Sequence, residues 1–156
     1  MTNDSADGED LIKRAEDIAR AAHAGQVDKL GVDYFQHVAT VAEAVADQGP
    51  IYKIVGLLHD SLEDCEDRSI VSPKLLRQTF GEAVAQAIDA ITKRVGEDYE
   101  RDYVPRVLAN PIARVVKQAD VAHNRSRLHQ LPEETRTRLI IKYDRFEVLA
   151  THQFGS

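Results

Sequence analysis

Apolar residues recur three and four positions apart along almost the whole chain, the spacing of helices that bury one face. No stretch alternates as a half-buried strand would. In 10–24, Leu11, Ala15, Ile18 and Ala22 share a face, and Gly25 is a natural stop. Residues 26–33 read as a polar connector containing Gly31. A helix over 34–47 turns Val38, Val41, Ala42 and Val45 inward and is closed by Gly49-Pro50. The segment 51–64 predicts a third helix whose centre, IVGLL, is apolar all round and so belongs in the interior. Ser72 as N-cap with Pro73 at the first helical position opens a short helix to Phe80. Gly81 ends it, and 82–92 continues with Val84, Ala87, Ile88 and Ile91 on one face. Helices over 99–109 and 111–126 divide at Asn110-Pro111. A last helix over 132–150 carries Leu139, Ile140, Tyr143, Phe146, Val148 and Leu149. The expectation is an all-α, single-domain helical bundle over 10–156, preceded by a disordered lead-in at 1–9.

Composition narrows the function classes. A length of 156 residues suits one domain with a sizeable core. No apolar run approaches the ~20 residues of a membrane-spanning helix, so no membrane partner is expected. The first ten residues are polar and acidic, unlike a signal peptide or a presequence. Cys65 is the single cysteine, which excludes an internal disulfide and fits a reducing, cytoplasmic location. Twenty-six acidic against 20 basic side chains give a net charge of −6, and no basic stripe is present. Nucleic acid is therefore not an expected partner. A small anionic ligand is compatible with that charge, because a bound divalent cation inverts the local field. Nothing in the pattern indicates an oligomeric state.

The candidate chemistry sits in three clusters. They are Tyr34-Phe35-Gln36-His37, then Leu58-His59-Asp60-Ser61-Leu62-Glu63-Asp64, then Lys117-Gln118-Ala119-Asp120-Val121-Ala122-His123-Asn124. His59 and Asp60 adjoin the apolar stretch, where unpaired polar groups are costly to bury and a metal ion would satisfy them. Imidazole with carboxylate suits Mn²⁺, Fe²⁺ or Zn²⁺. Glu63 lies four residues after His59, Asp64 four after Asp60, and Asn124 four after Asp120, so each pair shares a helical face. Carboxylates one turn from a metal suit the tasks of activating a water and orienting a substrate.

The order His37…His59-Asp60…Asp120 resembles the signature of the HD superfamily of metal-dependent phosphohydrolases. The flanks widen the match. AHAGQVDKLGVDYFQH, LLHDSLED, FGEAVAQAIDAITK and VKQADVAHN resemble the hydrolase domain of RelA/SpoT-type proteins and small alarmone hydrolases. The resemblance spans roughly 15–131. It implies an all-helical fold, one divalent metal that is usually Mn²⁺, and removal of the 3′-pyrophosphate from ppGpp or pppGpp. It implies His37, His59, Asp60 and Asp120 as metal ligands and Glu63 and Asp64 as the catalytic acidic pair. Lys29, Tyr34 and Asn124 match substrate-binding positions.

Two positions depart from that pattern. Asp28 stands where the family has the first of two basic residues, and Val38 where it has proline. Residues 96–120 look more like short single-domain HD proteins. Two other readings therefore stay open: a phosphohydrolase for another small phosphorylated metabolite, such as a nucleoside monophosphate, and a metal-bound nucleotide sensor without turnover.

Other residues carry plainer expectations. His23 either meets the last carbonyls of its helix or stands behind the metal site. His123 is expected off the metal face, and His129 and His152 at the surface. Cys65 reads as a small core filler. Lys29, Lys93, Arg94 and Arg125 are candidates for neutralising phosphate. Arg136, Arg138, Lys142 and Arg145, interspersed with acids, read as an exposed helix face.

Overall fold

The computed structural model describes residues 4–154. In chain order the helices are α1 (Asp4–Ala22), α2 (Phe35–Ala44), α3 (Pro50–Leu58), α4 (Ser61–Asp64) and α5 (Pro73–Phe80). They continue with α6 (Glu82–Ile91), α7 (Val104–Ala109), α8 (Pro111–Ser126) and α9 (Glu133–Phe154). Among the described residues, extended pairing is limited to one bridge, Val27 with Asp33, across the connector between α1 and α2. The class is all-α, as the periodicity predicts.

The helix that is apolar all round takes the centre. α3 packs against α1, α2, α6 and α8 and buries Ile54, Val55, Leu57 and Leu58. Gly56 is what lets α2 come so close. A Cβ at this position would lie 2.7 Å from Ala42 Cα, inside any allowed contact. That approach sets the separation of His37 on α2 from His59 just beyond α3. Helix starts follow local chemistry. Ser72 Oγ accepts from Leu75 N at 3.0 Å, and Asn110 Oδ1 accepts from Ile112 and Ala113 N at 3.1 and 3.0 Å.

The structure differs from the periodicity in several places. The single helix expected over 51–64 is broken at His59–Asp60. Asp60, at φ −103° and ψ 0°, is the hinge between α3 and α4. Ser61 Oγ donates to the carbonyl of Leu58 at 2.7 Å, satisfying an acceptor that the break would orphan. The lead-in expected over 1–9 becomes helix from Asp4. Asp7, in the first turn, suits a helix N-terminus electrostatically, and Gly8 lies against Pro50. Residues 1–3 lie outside the described residues. The helix expected over 99–109 opens as a wide π-type turn, Tyr99–Tyr103, before α7. The second helix stops at Ala44 and is followed by a 3₁₀ turn, Ala46–Gln48. α9 runs to Phe154, four residues beyond its expected end, and buries Leu139, Tyr143, Phe146 and Ala150.

Candidate metal centre

His37 on α2, His59 and Asp60 at the break between α3 and α4, and Asp120 on α8 converge. One ligand atom from each lies within 4.8 Å of the others, which fits a divalent metal site. His37 Nε2 is 2.8 Å from Asp120 Oδ1 and 3.7 Å from Asp60 Oδ2. His59 Nε2 is 3.2 Å from Asp60 Oδ2 and 3.5 Å from Asp120 Oδ1.

The donor chemistry bears on what the cluster can hold. His59 Nδ1 donates to the carbonyl oxygen of Gly56 at 2.6 Å. That bond leaves Nε2 with the lone pair, aimed at the carboxylates. Nε2 is fully buried and makes no hydrogen bond of its own, so a cation held there would satisfy it. His37 Nδ1 lies 2.8 Å from Nδ1 of His123, and His37 Nε2 lies 2.8 Å from Asp120 Oδ1. With a cation in the cluster, donation from His37 Nδ1 to His123 would free Nε2 as a ligand. His123, expected off the metal face, thus stacks on His37 with ring centroids 5.0 Å apart. Its place one residue before Asn124 hid it, because the contact crosses from α8 to α2.

The field at the cluster is negative. Burial disfavours the His59 imidazolium, but the facing carboxylates of Asp60 and Asp120 override it and hold its pKa well above the ordinary value. Burial opposes ionisation of Asp60 as well, and His59 outweighs it, placing Asp60 at about 2. Asp120 resists burial through Lys117, whose Nζ donates to Oδ2 at 3.0 Å, and stays well below the usual carboxylate range. The cluster attracts a positive charge.

A cavity of about 470 Å³ opens beside it, lined by Glu63, Asp64, Lys29, Tyr34 and Asn124 among others. Tyr34 Oη donates to Asp60 Oδ2 at 2.6 Å, and Asn124 Nδ2 to Asp120 Oδ1 at 3.3 Å. Two residues expected to meet substrate therefore also join the cavity wall to the cluster. Glu63 and Asp64 are held by different segments of the chain. Glu63 Oε1 accepts from Lys93 N at 2.7 Å, and Asp64 Oδ2 accepts from Gln26 Nε2 at 3.1 Å. Partial burial raises the pKa of both acids above ordinary values, and the Asp60 charge adds to it.

The phosphate candidates separate. Lys29 lines the cavity. The Lys93 side chain lines a neighbouring cavity of about 370 Å³. Arg94 pairs with Asp89, and Arg125 with Asp144 and Glu147, so both cations are already engaged. Lys142, and Arg127, which the sequence pattern does not single out, line the same cavity as Lys29. Lys142, expected on a solvated face, reaches the site because α9 contributes Leu139, Lys142 and Tyr143 to the cavity wall. His129 and His152 are exposed, as expected, and Cys65 is buried.

This fold and donor set define a class. The HD domain family model matches residues 15–153, and the chain belongs to that family. Among characterised relatives, it is 32% identical over 133 residues to a GTP pyrophosphokinase of Streptomyces coelicolor, matching 79% of this chain and 15% of that protein. It is 28% identical to the guanosine-3′,5′-bis(diphosphate) 3′-pyrophosphohydrolase of Aquifex aeolicus, covering 92% of this chain and 21% of that protein. It is 27% identical to the bifunctional (p)ppGpp synthase/hydrolase SpoT of Escherichia coli, covering 84% and 20%. The chain thus spans between 15% and 21% of the length of these curated relatives. A solved structure described as a metazoan ortholog of SpoT that hydrolyses ppGpp superposes with a TM-score of 0.74 at 18% identity. That match covers 87% of this chain and 83% of the other, and it shows the same fold. No helix among the described residues is long and apolar enough to cross a membrane.

Proposed function

We propose that the chain is a metal-dependent phosphohydrolase that removes the 3′-pyrophosphate from (p)ppGpp, with Mn²⁺ as the metal. The observation that carries this reading is the convergence of His37, His59, Asp60 and Asp120 beside a cavity lined by Glu63, Asp64, Lys29, Tyr34 and Asn124. The names of the Aquifex and E. coli relatives support the substrate.

The four residues would hold the ion through His37 Nε2, His59 Nε2 and one oxygen from each aspartate. When bound, a divalent ion lowers the pKa of water and polarises a phosphoryl oxygen. The chain's own groups supply the rest. Hydrolysis exchanges the bond between the ribose 3′ oxygen and phosphorus for a bond from water. The water loses a proton and the 3′ oxygen gains one. In this reading Glu63 and Asp64 accept and return that proton, which the tethering of one oxygen on each to the scaffold supports. Their raised pKa values bring them nearer to the solution pH, where a carboxylate both takes and gives a proton. Lys29 and Lys142 supply positive charge on the cavity wall. Asn124 and Tyr34, bonded to Asp120 and Asp60, keep the ligand carboxylates oriented.

Asp28 does not strip the cavity of cations. Its carboxylate is consumed by Leu30 N, Val32 N and Arg127, at 2.9, 3.0 and 2.6 Å. The guanidinium it holds lines the same cavity.

The test is pyrophosphate and phosphate release from a nucleotide panel that includes ppGpp, with Mn²⁺ added or chelated. Metal-dependent pyrophosphate release from ppGpp, lost in Asp60→Ala, is the expected result. Turnover only of a nucleoside monophosphate would reassign the substrate. Bound metal and bound nucleotide with no product would make the chain a sensor.

A further inference from the structure

Behind Asp64 stands an ordered pair of hydrogen bonds. His23, in the turn that follows α1, is 1% exposed. Its Nδ1 lies 2.8 Å from Gln26 Oε1, and Gln26 Nε2 lies 3.1 Å from Asp64 Oδ2. A primary amide has one accepting oxygen and one donating nitrogen, so the ends of the chain dictate its direction. A carboxylate only accepts, which turns the Gln26 NH₂ toward Asp64. The Gln26 oxygen then faces His23 and requires a donor there, so Nδ1 carries the ring hydrogen. His23 Nε2 is left as a buried nitrogen with no hydrogen bond. The other tautomer would set two lone pairs against each other and bury an unpaired N–H, which is costlier. The ring is also fixed in space. It packs against Tyr34 with centroids 4.9 Å apart, and Tyr34 Oη is bonded to Asp60.

We propose that His23 and Gln26 are positioning residues for the hydrolytic step. His23 sets the direction of the Gln26 amide, and Gln26 holds Asp64 with its second oxygen available to the attacking water. The proposal rests on the reading of Asp64 as a water-orienting acid. His23 touches neither substrate nor metal in this scheme. It acts through Gln26.

Two measurements test it, one independent of turnover. Long-range ¹H–¹⁵N NMR of the metal-free protein is expected to show His23 hydrogenated at Nδ1, and hydrogen on Nε2 instead would overturn the relay. Kinetics then compare His23→Asn, which keeps a donor near the Nδ1 position, with His23→Phe, which keeps ring packing on Tyr34 and loses the donor. His23→Asn is expected within about threefold of wild-type kcat. His23→Phe is expected to lose ~10–100-fold in kcat, with KM within about twofold. The reverse order would make His23 a packing residue and sink the proposal. Gln26→Leu and Gln26→Glu, at a half-buried position, serve if His23→Phe fails to fold, and both are expected to show the same loss in kcat. A rise in KM at unchanged kcat would make Gln26 a substrate contact and likewise overturn it. Absence of wild-type turnover on every nucleotide would defeat the hydrolase reading alone, and the NMR result would still decide the relay.

Discussion

Asp28 Oδ2 accepts from Arg127 Nη1 at 2.6 Å across 99 residues of chain, tying the connector between α1 and α2 to the end of α8. The same carboxylate accepts two backbone N–H groups of its own loop, so one side chain shapes the loop and anchors it. Burial opposes this charge, but the Arg127 bond and the bonds from Val32 and Leu30 outweigh it and hold the Asp28 pKa below the ordinary value.

The pH dependence of that anchor follows from the sign of the shift. A lowered carboxylate pKa contributes stability that is fully present above the unfolded value, near ~3.9. It is lost as pH falls through the lower folded value. Asp28→Asn keeps an accepting oxygen for the loop and removes the charge. It is expected to cost ~1–2 kcal/mol at pH 7 by chemical denaturation. The gap from wild type should narrow once pH drops below about 3.9. A gap that stays constant down to pH ~3 would show that the carboxylate charge is not its source.

His123 is the residue whose role only the folded chain discloses. If it accepts from His37 Nδ1, His123→Phe keeps an aromatic ring against His37 and removes the acceptor. Affinity for Mn²⁺ is expected to fall ~10–100-fold while the helical content is retained. Calorimetric titration of the variant at unchanged affinity would contradict this.

Metal binding should be visible as stability. An ion that binds only the folded state at a hundredfold excess over its Kd adds about 3 kcal/mol. Mn²⁺ is therefore expected to raise the Tm of the wild type, and a chelator to reverse the rise. Asp60→Ala should show no shift. Equal shifts in both proteins would place the ion elsewhere.

Gly56→Ala tests the contact that sets the two histidines apart. With its Cβ 2.7 Å from Ala42 Cα, the variant must separate α2 from α3. A loss of ~1–3 kcal/mol in stability is expected, together with weakened metal binding, because His37 and His59 would move with their helices. Unaltered stability would mean that the helices part at no cost.

Much of this protein was already legible in its residues. Helical periodicity gave the all-α class, because burying one face of a helix leaves a three-and-four spacing wherever it occurs. Ser72-Pro73 and Asn110-Pro111 marked real helix starts, since capping is a local reaction between a side chain and the next few N–H groups. The order of His37, His59, Asp60 and Asp120 marked the cluster that the fold brings together. Tertiary structure decided what local spacing does not encode. The break at Asp60 opposes the helical pattern of 51–64, and the separate tethering of Glu63 to Lys93 and of Asp64 to Gln26 depends on where that break points. His123 reaches His37 and Arg127 reaches Asp28 only because α8 packs on α2, and Lys142 reaches the cavity only because α9 packs on α7 and α8. Such contacts join residues many turns apart, and their geometry is set by helix packing, not by the neighbours of either residue in the chain.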